Sequence, residues 1–289
     1  MSSAEDPAAA AALAAFERGQ QQWRERRASD LVREGGWTTL VGLHWIDPGA
    51  HYAGSDADNG IRLAAGPDHL GMFELRNGVL RLVPDPAAEL TADGEALRAS
   101  TVLRDDAAPA GPTVLAFDQG RGVATVIRRG ERLALRVKHS DAATRTGFRG
   151  LDYWPATQDW RKTGRFIAHA PGRTIRIASI IGTTDEVANP GLIEFEHESG
   201  VHRLEALDQG DGTLFVVFAD ATNGQGSYGA GRFLDAPTAD SEGRVVLDFN
   251  RAYNPPCAFT PFATCPLPPV ENRLAMAVQA GEKAYRTQP

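Results

Sequence analysis

Between Asp248 and Arg273 the chain carries six of its eighteen prolines and both of its cysteines, Cys257 and Cys265. Proline fixes φ and has no backbone N–H to donate, so neither a helix nor a central strand can run through this segment. The segment also holds Asp248, Asn250, Tyr253, Asn254, Asn272 and Arg273, which sets it apart from a flexible Gly/Ser linker. A long stretch without regular structure inside a compact protein is either disordered or functional, and the aromatic and cysteine content predicts an ordered one. Any fold this chain adopts must accommodate an irregular, rigid cap near its C-terminal end.

Before the cap, one helix is expected over residues 7–34. Leu13, Phe16, Trp23 and Leu31 form an imperfect apolar stripe, and Gly35-Gly36 ends it. Its Arg24, Arg26 and Arg27 read as a solvated face. After Gly36 the apolar residues recur with period two and are punctuated by Gly, Asp and Asn, the pattern of short half-buried strands. Strands are expected at 37–45, 61–63, 71–75, 79–83, 113–117, 123–128 and 132–138, with Asn77-Gly78 as a two-residue hairpin turn and a further hairpin around Asp93-Gly94. An aromatic and basic loop follows at 148–165. Longer strands are expected at 174–181, 192–198, 201–207, 213–219 and 244–249, and a short helix at 274–285. Consecutive strands joined by short turns indicate antiparallel pairing.

The expected architecture is mainly β: an N-terminal helix (1–35), a small β-sandwich-like domain (36–112), and a larger antiparallel β barrel or sandwich (113–289) closed by the Pro/Cys-rich cap. The boundary between the two domains is expected between residues 105 and 150, with one continuous domain as the alternative.

Composition narrows the function classes. The net charge of −7 argues against nucleic acid or an anionic membrane as a partner, and no apolar run reaches the roughly 20 residues that span a bilayer. The start of the chain, Met-Ser-Ser-Ala-Glu-Asp-Pro, lacks the basic residues of a secretory signal, so a cytoplasmic location is expected. No cofactor motif is visible. Positive charge is concentrated between Arg128 and Arg165, where ten Lys or Arg face four acids.

Five groups of residues are candidates for chemistry. Cys257 and Cys265 are eight positions apart, which does not match paired zinc-ligand spacing, and no His lies nearby in sequence to activate a thiolate. Structural packing of the cap and a reactive or redox pair are both open for them. Asp248 and Tyr253 are further catalytic candidates in the same run. A turn at Ser199-Gly200 predicts a hairpin with His197 opposite His202, Glu196 opposite Arg203 and Phe195 opposite Leu204; the two histidines are weak metal or proton-transfer candidates. Arg132, Arg136 and Lys138 share one strand face, while Arg145, Arg149, Arg161 and Arg165 alternate with Phe148, Tyr153, Trp154 and Trp160, an arrangement suited to an anionic or planar ligand. The Gly-rich stretch Asp220–Arg232 lacks the Gly-Lys-Ser/Thr of a nucleotide loop and reads as a structured turn.

Residues 248–273, ending in Cys-Pro-Leu-Pro-Pro-Val-Glu-Asn-Arg-Leu, together with Ala280-Gly281-Glu282-Lys283, resemble the signature of a bacterial domain-of-unknown-function family, number sixteen-eighty-four. Gly36–Gly54, with Gly42-Leu43-His44-Trp45, and Ser227–Leu234 are similar to its other blocks. The resemblance covers most of residues 20–285 and implies kinship without an activity or catalytic residues. A second, local resemblance runs from residue 36 to 83. Gly54-Ser-Asp-Ala-Asp-Asn-Gly-Ile-Arg-Leu63 is similar to the core of forkhead-associated domains, which bind phosphothreonine through an Arg after the first Gly and a Ser-x-x-His block. Here Ser55 stands in the place of that Arg, and Asp68-His69 does not restore the block.

The leading functional expectation is a pocket in the second domain that binds a small anionic metabolite. Arg149, Arg161, Arg165 and Arg232 would supply charge, and a cap from Asn250 to Arg273, with Asn254 and Asn272, would close it. Hydrolysis or isomerisation through Asp248, Tyr253, Cys257 or a histidine would be the accompanying chemistry. The alternatives are a protein-interaction module using the forkhead-like half, and a non-catalytic protein in which the cap plugs a filled barrel.

Overall fold

The structure is a computed structural model that describes residues 7–198 and 200–286. The start of the chain and Ser199, on which two of the expectations fall, lie outside the described residues. The chain divides into two units: residues 31–148 with 259–263, and residues 7–30, 149–258 and 264–286.

The first unit is a two-sheet sandwich. One sheet contains β1 (Leu40–Ile46), β6 (Thr91–Ala92), β7 (Glu95–Ala96), β9 (Val114–Phe117), β10 (Gly122–Arg129) and β11 (Arg132–His139), in the order β1-β11-β10-β9-β6-β7. The other contains β2 (Gly49–Gly54), β3 (Ile61–Arg62), β4 (Gly71–Arg76), β5 (Val79–Pro84) and β8 (Thr101–Val102), in the order β3-β2-β4-β5-β8. The period-two pattern decides which side chains go inward. Leu80 and Leu82 of β5, with Phe73 of β4, meet Leu115, Val126, Leu133 and Leu135 of the facing sheet in one core. Asn77 and Gly78 take the positive φ values (52° and 76°) that a tight hairpin turn demands, as do Asp93 and Gly94 (51° and 88°).

One boundary moves. The strands at 113–139, expected to open the second domain, belong to the first, because β11 pairs with β1 from Leu40 to Ile46, with a register shift between Leu40 and Gly42, and β10 and β9 follow it. The three basic residues of β11 have a local structural role: Arg132 lies over the Trp45 ring at 4.2 Å, and Arg136 and Lys138 over Trp37 at 5.7 and 5.3 Å.

The second unit is built on β12 (Arg161–Ala168), β15 (Gly191–His197), β16 (Gly200–Asp208), β17 (Thr213–Phe218), β18 (Arg232–Pro237) and β19 (Arg244–Asp248), all antiparallel in the order β18-β17-β16-β15-β12-β19. β19 returns beside β18, so the sheet curls into a nearly closed barrel. β13 (Thr174–Ala178) and β14 (Thr184–Ala188) form a separate ribbon. The barrel interior is filled by side chains. Phe249 lies 5.4 Å from Phe195 and 5.7 Å from Phe218, ring centre to ring centre, among Ile193, Leu204, Val216, Leu234 and Leu247.

Three expectations are corrected in this unit. Residues 161–165, expected as loop, open the strand β12. Its polar sequence hid it, because only Gly164 of its eight residues is buried. A Cβ on Gly164 would lie 2.7 Å from Ile193 Cγ2 and 2.8 Å from the Glu194 carbonyl, so the strand passes close across β15 only with glycine there. The hairpin register also differs: His197 pairs with Gly200, Phe195 with His202 and Glu194 with Arg203, and Glu198, with φ 43°, leaves the strand before the pairing resumes at Gly200. The helix expected at 274–285 is absent. That segment runs without regular structure, its backbone bonded to Ala219, Ala252 and Asp152.

α1 (Pro7–Val32) spans the N-terminal region. Its inward stripe includes Phe16, Gln20, Trp23, Arg24 and Arg27 at helical spacing, so the buried face of this helix is largely polar. Among the described residues no helix is long and apolar enough to cross a membrane.

Candidate functional site

The Pro/Cys segment and α1 meet in a layer of polar side chains on the second unit. Arg27, expected on a solvated face, donates from Nε to Glu282 Oε1 at 2.8 Å and from Nη2 to the Asn254 carbonyl at 2.9 Å. The Asn254 backbone N–H donates to Glu282 Oε2 at 2.7 Å, and its Nδ2 to the Lys283 carbonyl at 2.7 Å. Glu282 is fully buried, which pushes its carboxyl above the usual carboxylate range, while Arg27 and the Asn254 N–H pull it back. Arg27 also covers the Tyr253 ring at 4.7 Å, and Tyr253 donates its hydroxyl to Asp235 Oδ1 at 3.3 Å. Burial raises Asp235 and holds the Tyr253 phenol protonated.

Arg232 is fully buried and is not available to a ligand. It donates to Asp220 Oδ2 at 2.7 Å and to the carbonyls of Val278 and Ala280. Asp220 accepts in turn from the backbone and hydroxyl of Thr222 and from the Val278 N–H. The Gly-rich stretch is therefore a turn closed on its own side chains, as expected. Asn250 and Asn272 are likewise fastened inward. Asn250 exchanges two hydrogen bonds with the Thr157 backbone and donates to Asp248 Oδ1, and Asn272 bridges Glu205 and Val217.

A cleft of 580 Å³ opens where α1 crosses the end of β12. It is lined by Ala12, Ala15, Phe16, Gly19 and Gln20 of α1 and by Gln158, Arg161 and Arg251. Asp248, at the end of β19, sets up this corner. Its Oδ2 accepts from Gln20 Nε2 at 2.7 Å and lies 3.4 Å from Arg251 Nε. Arg251 Nη2 would lie 3.7 Å from a Cβ on Gly19, so the guanidinium packs at contact distance against this face of α1. Gln20 Oε1 is buried and has no hydrogen-bond partner within the protein. The lining contains two guanidinium groups, two amides and no carboxylate. A second groove of 520 Å³, along the outer face of β12, also contains Arg161, with Lys162, Arg165 and Arg244, but alternates these with Glu194, Glu196 and Glu242.

The thiols lie further along the same segment. The Cys257 backbone N–H donates to Cys265 Sγ at 3.2 Å, and Tyr228 donates its hydroxyl to the Cys257 carbonyl at 3.1 Å. No disulfide joins them; Cys265 is buried and Cys257 is half-buried. Hydrogen bonding from Cys265 brings the Cys257 thiol down to about 7, with Tyr228 assisting and burial opposing.

The remaining candidates are dispersed. Arg149, Arg165 and Arg273 are exposed, and Arg165 lies 3.7 Å from Glu194. Arg145 is bound to the carbonyls of Val32 and Ser140. His197 stacks on Trp160 at 4.5 Å, its imidazole held below the usual histidine range by burial and by Lys162, while His202 packs on Phe195 at 5.5 Å. Among the described residues no group of three or more His, Cys, Asp or Glu is placed to hold a metal ion. The structure thus brings together Asp248, Tyr253, Asn254 and Arg161 with residues that sequence reasoning passed over: Gln20, Arg27, Gln158, Arg251 and Glu282. The spacing of Gln20, Arg24 and Arg27 along one helix face was the one local signal for them.

A family model described as "Protein of unknown function (DUF1684)" matches residues 146–283. Among solved structures, the chain is similar to the solution NMR structure of an uncharacterized protein from gene locus rrnAC0354 of Haloarcula marismortui. The identity is 31%, covering 48% of this chain and 78% of that one, with a TM-score of 0.40. No curated protein matches the chain. The family match begins at residue 146 and does not reach the forkhead-like segment at 36–83.

Proposed function

The chain belongs, through residues 146–283, to the DUF1684 family of proteins of unknown function, and from its site we propose that it binds a small carboxylate or phosphate ester in the cleft between α1 and β12. The observation that carries this reading is the lining: Arg161 and Arg251 border the cleft with Gln20 and Gln158, and the one carboxylate paired with them, Asp248 on Arg251, is not among the lining residues. Guanidinium forks match carboxylate and phosphate oxygens in pairs. Gln20 Oε1, a buried acceptor without a donor, suits a hydroxyl or amino group on the same ligand. Asp248 acts as a positioning residue. It holds Gln20 and draws Arg251 into place, and with Asn250 also bonded to it, its acceptor capacity is taken up. The reading is therefore one of binding. A cytoplasmic location belongs to the same proposal, and its reducing environment would keep Cys257 and Cys265 as thiols.

Thermal-shift and calorimetric titration of the full chain against small carboxylates and phosphate esters tests it, with the matching amides and alcohols as neutral controls. An anion is expected to raise Tm, and Arg161→Ala and Arg251→Ala are each expected to weaken its binding about tenfold. If no anion raises Tm, or anions act equally on wild type and both variants, the cleft is not the site.

A further inference from the structure

Cys257 and Cys265 take no part in the anion cleft, and their arrangement has a chemistry of its own. Prolines hold both ends of the segment between them: Pro255-Pro256 precede the first cysteine and Pro266 follows the second. Within this rigid frame the Cys257 backbone N–H donates to Cys265 Sγ at 3.2 Å, which places the buried sulfur against the first cysteine. Their environments differ. Cys265 is 4% exposed, whereas Cys257 is half-buried and faces the Tyr228 hydroxyl. Cys257 is the more accessible residue of the two, and the Cys265 sulfur lies against its backbone N–H. Structural packing would need neither this difference in access nor the seating of one sulfur on the other cysteine's backbone N–H.

We propose that Cys257 and Cys265 form a hydroperoxide-responsive dithiol, in which Cys257 is the sulfur oxidised and Cys265 the sulfur that resolves it to a disulfide. In the first step the Cys257 thiolate attacks the terminal oxygen of a hydroperoxide. An S–O bond forms, the O–O bond breaks, and the leaving alkoxide takes up a proton, giving Cys257 sulfenic acid and an alcohol. In the second step the Cys265 sulfur attacks the Cys257 sulfur. The S–S bond forms, the S–O bond breaks, and the departing hydroxide takes the Cys265 proton to give water. Overall, two thiols lose two electrons and two protons to one hydroperoxide. With Cys265 Sγ already 3.2 Å from the Cys257 backbone nitrogen, closing an S–S bond of about 2.05 Å calls for turning the Cys257 side chain toward it. The lowered Cys257 thiol supports the order, since it is about half ionised at pH 7 against a few per cent for a free cysteine.

Treatment of the reduced full-length protein with hydrogen peroxide, and separately with cumene hydroperoxide, tests the assignment. The wild type is expected to lose both titratable thiols and two hydrogen atoms of mass, to remain monomeric on a non-reducing gel, and to recover both thiols with dithiothreitol. At pH 7 the reaction is expected to run about tenfold faster than with free cysteine. Cys265→Ser should stop at a sulfenic acid on residue 257 that dimedone traps, and Cys257→Ser should leave Cys265 unreacted. The wild-type measurement requires no variant to fold. Oxidation only after denaturation, a disulfide between two chains, or equal reactivity of Cys265 in Cys257→Ser would each overturn the proposal.

Discussion

At the scale of single residues, the pair that best defines the second unit is Arg27 with Glu282. Neither is remarkable in sequence: one is among several arginines on a helix, the other a glutamate in an irregular tail. Yet the carboxylate is fully buried, and Arg27 and the Asn254 N–H are its hydrogen-bond donors. Removing one partner of a buried pair leaves the other charge without compensation, so Arg27→Ala is expected to cost about 3–5 kcal/mol in chemical denaturation. The sign of its pH dependence follows from the raised carboxyl. A folded-state pKa above the unfolded one means that the folded form binds the proton more tightly, so stability is lost as pH rises through the folded value and regained below it. Removing Arg27 raises that value further. The deficit of Arg27→Ala against wild type is therefore expected to be largest at neutral and alkaline pH and to shrink as pH falls toward the ordinary carboxylate range. Denaturation at several pH values checks this, and a deficit that grows on acidification would contradict it. Arg24 and Arg27 read as a solvated face in sequence because their partners lie in segments more than a hundred residues away.

At the scale of elements, the period-two pattern and the turn residues were enough to locate most strands. They did not supply the join between β16 and β17. These strands pair only at Leu207–Phe215 and Asp208–Leu214 and then splay. Asn272 inserts its side chain where Glu205 and Val217 would have met. Its Oδ1 accepts the Glu205 N–H at 2.6 Å, and its Nδ2 donates to the carbonyls of Glu205 and Val217 at 2.9 Å each. The cap thus completes the sheet with a side chain in place of a strand, and a buried N–H depends on it. Asn272→Ala is expected to cost about 3 kcal/mol, since it strands a buried donor and two acceptors. Hydrogen exchange should show lost protection confined to the Glu205 region; a change below about 0.5 kcal/mol would mean the strands close without it. β12 escaped detection for the converse reason. Its side chains alternate between exposed and half-buried surroundings, leaving no apolar row to read, and its place beside β15 depends on the absence of a Cβ at Gly164.

At the scale of the whole molecule, the chain builds two hydrophobic cores, and the second unit takes its helix from the far end of the sequence. The family match covers only residues 146–283, which omits α1. Without α1, Glu282 loses Arg27, Asp248 loses Gln20, and the Trp154 carbonyl loses Arg24. A fragment of residues 149–289 is therefore expected to lack a cooperative thermal transition, and addition of a peptide of residues 7–30 is expected to restore one. Circular dichroism melts with and without the peptide decide the matter. A fragment that melts cooperatively alone, at the temperature of the full chain, would show that the polar layer under α1 is dispensable.

The sequence by itself determined what is local. Alternation with period two and turns such as Asn77-Gly78 settled antiparallel β structure, because strand faces and hairpin turns depend on residues a few positions apart. The prolines of 248–273 settled that this segment is irregular, because each acts on its own φ and its own missing N–H. Tertiary structure alone decided which polar side chains turn inward and what they meet. Arg27 and Glu282 are 255 residues apart, and Gln20 and Asp248 are 228 apart. A charge or amide gains its partner only when folding removes both from water. Such a pairing leaves no periodic trace in the chain that carries it.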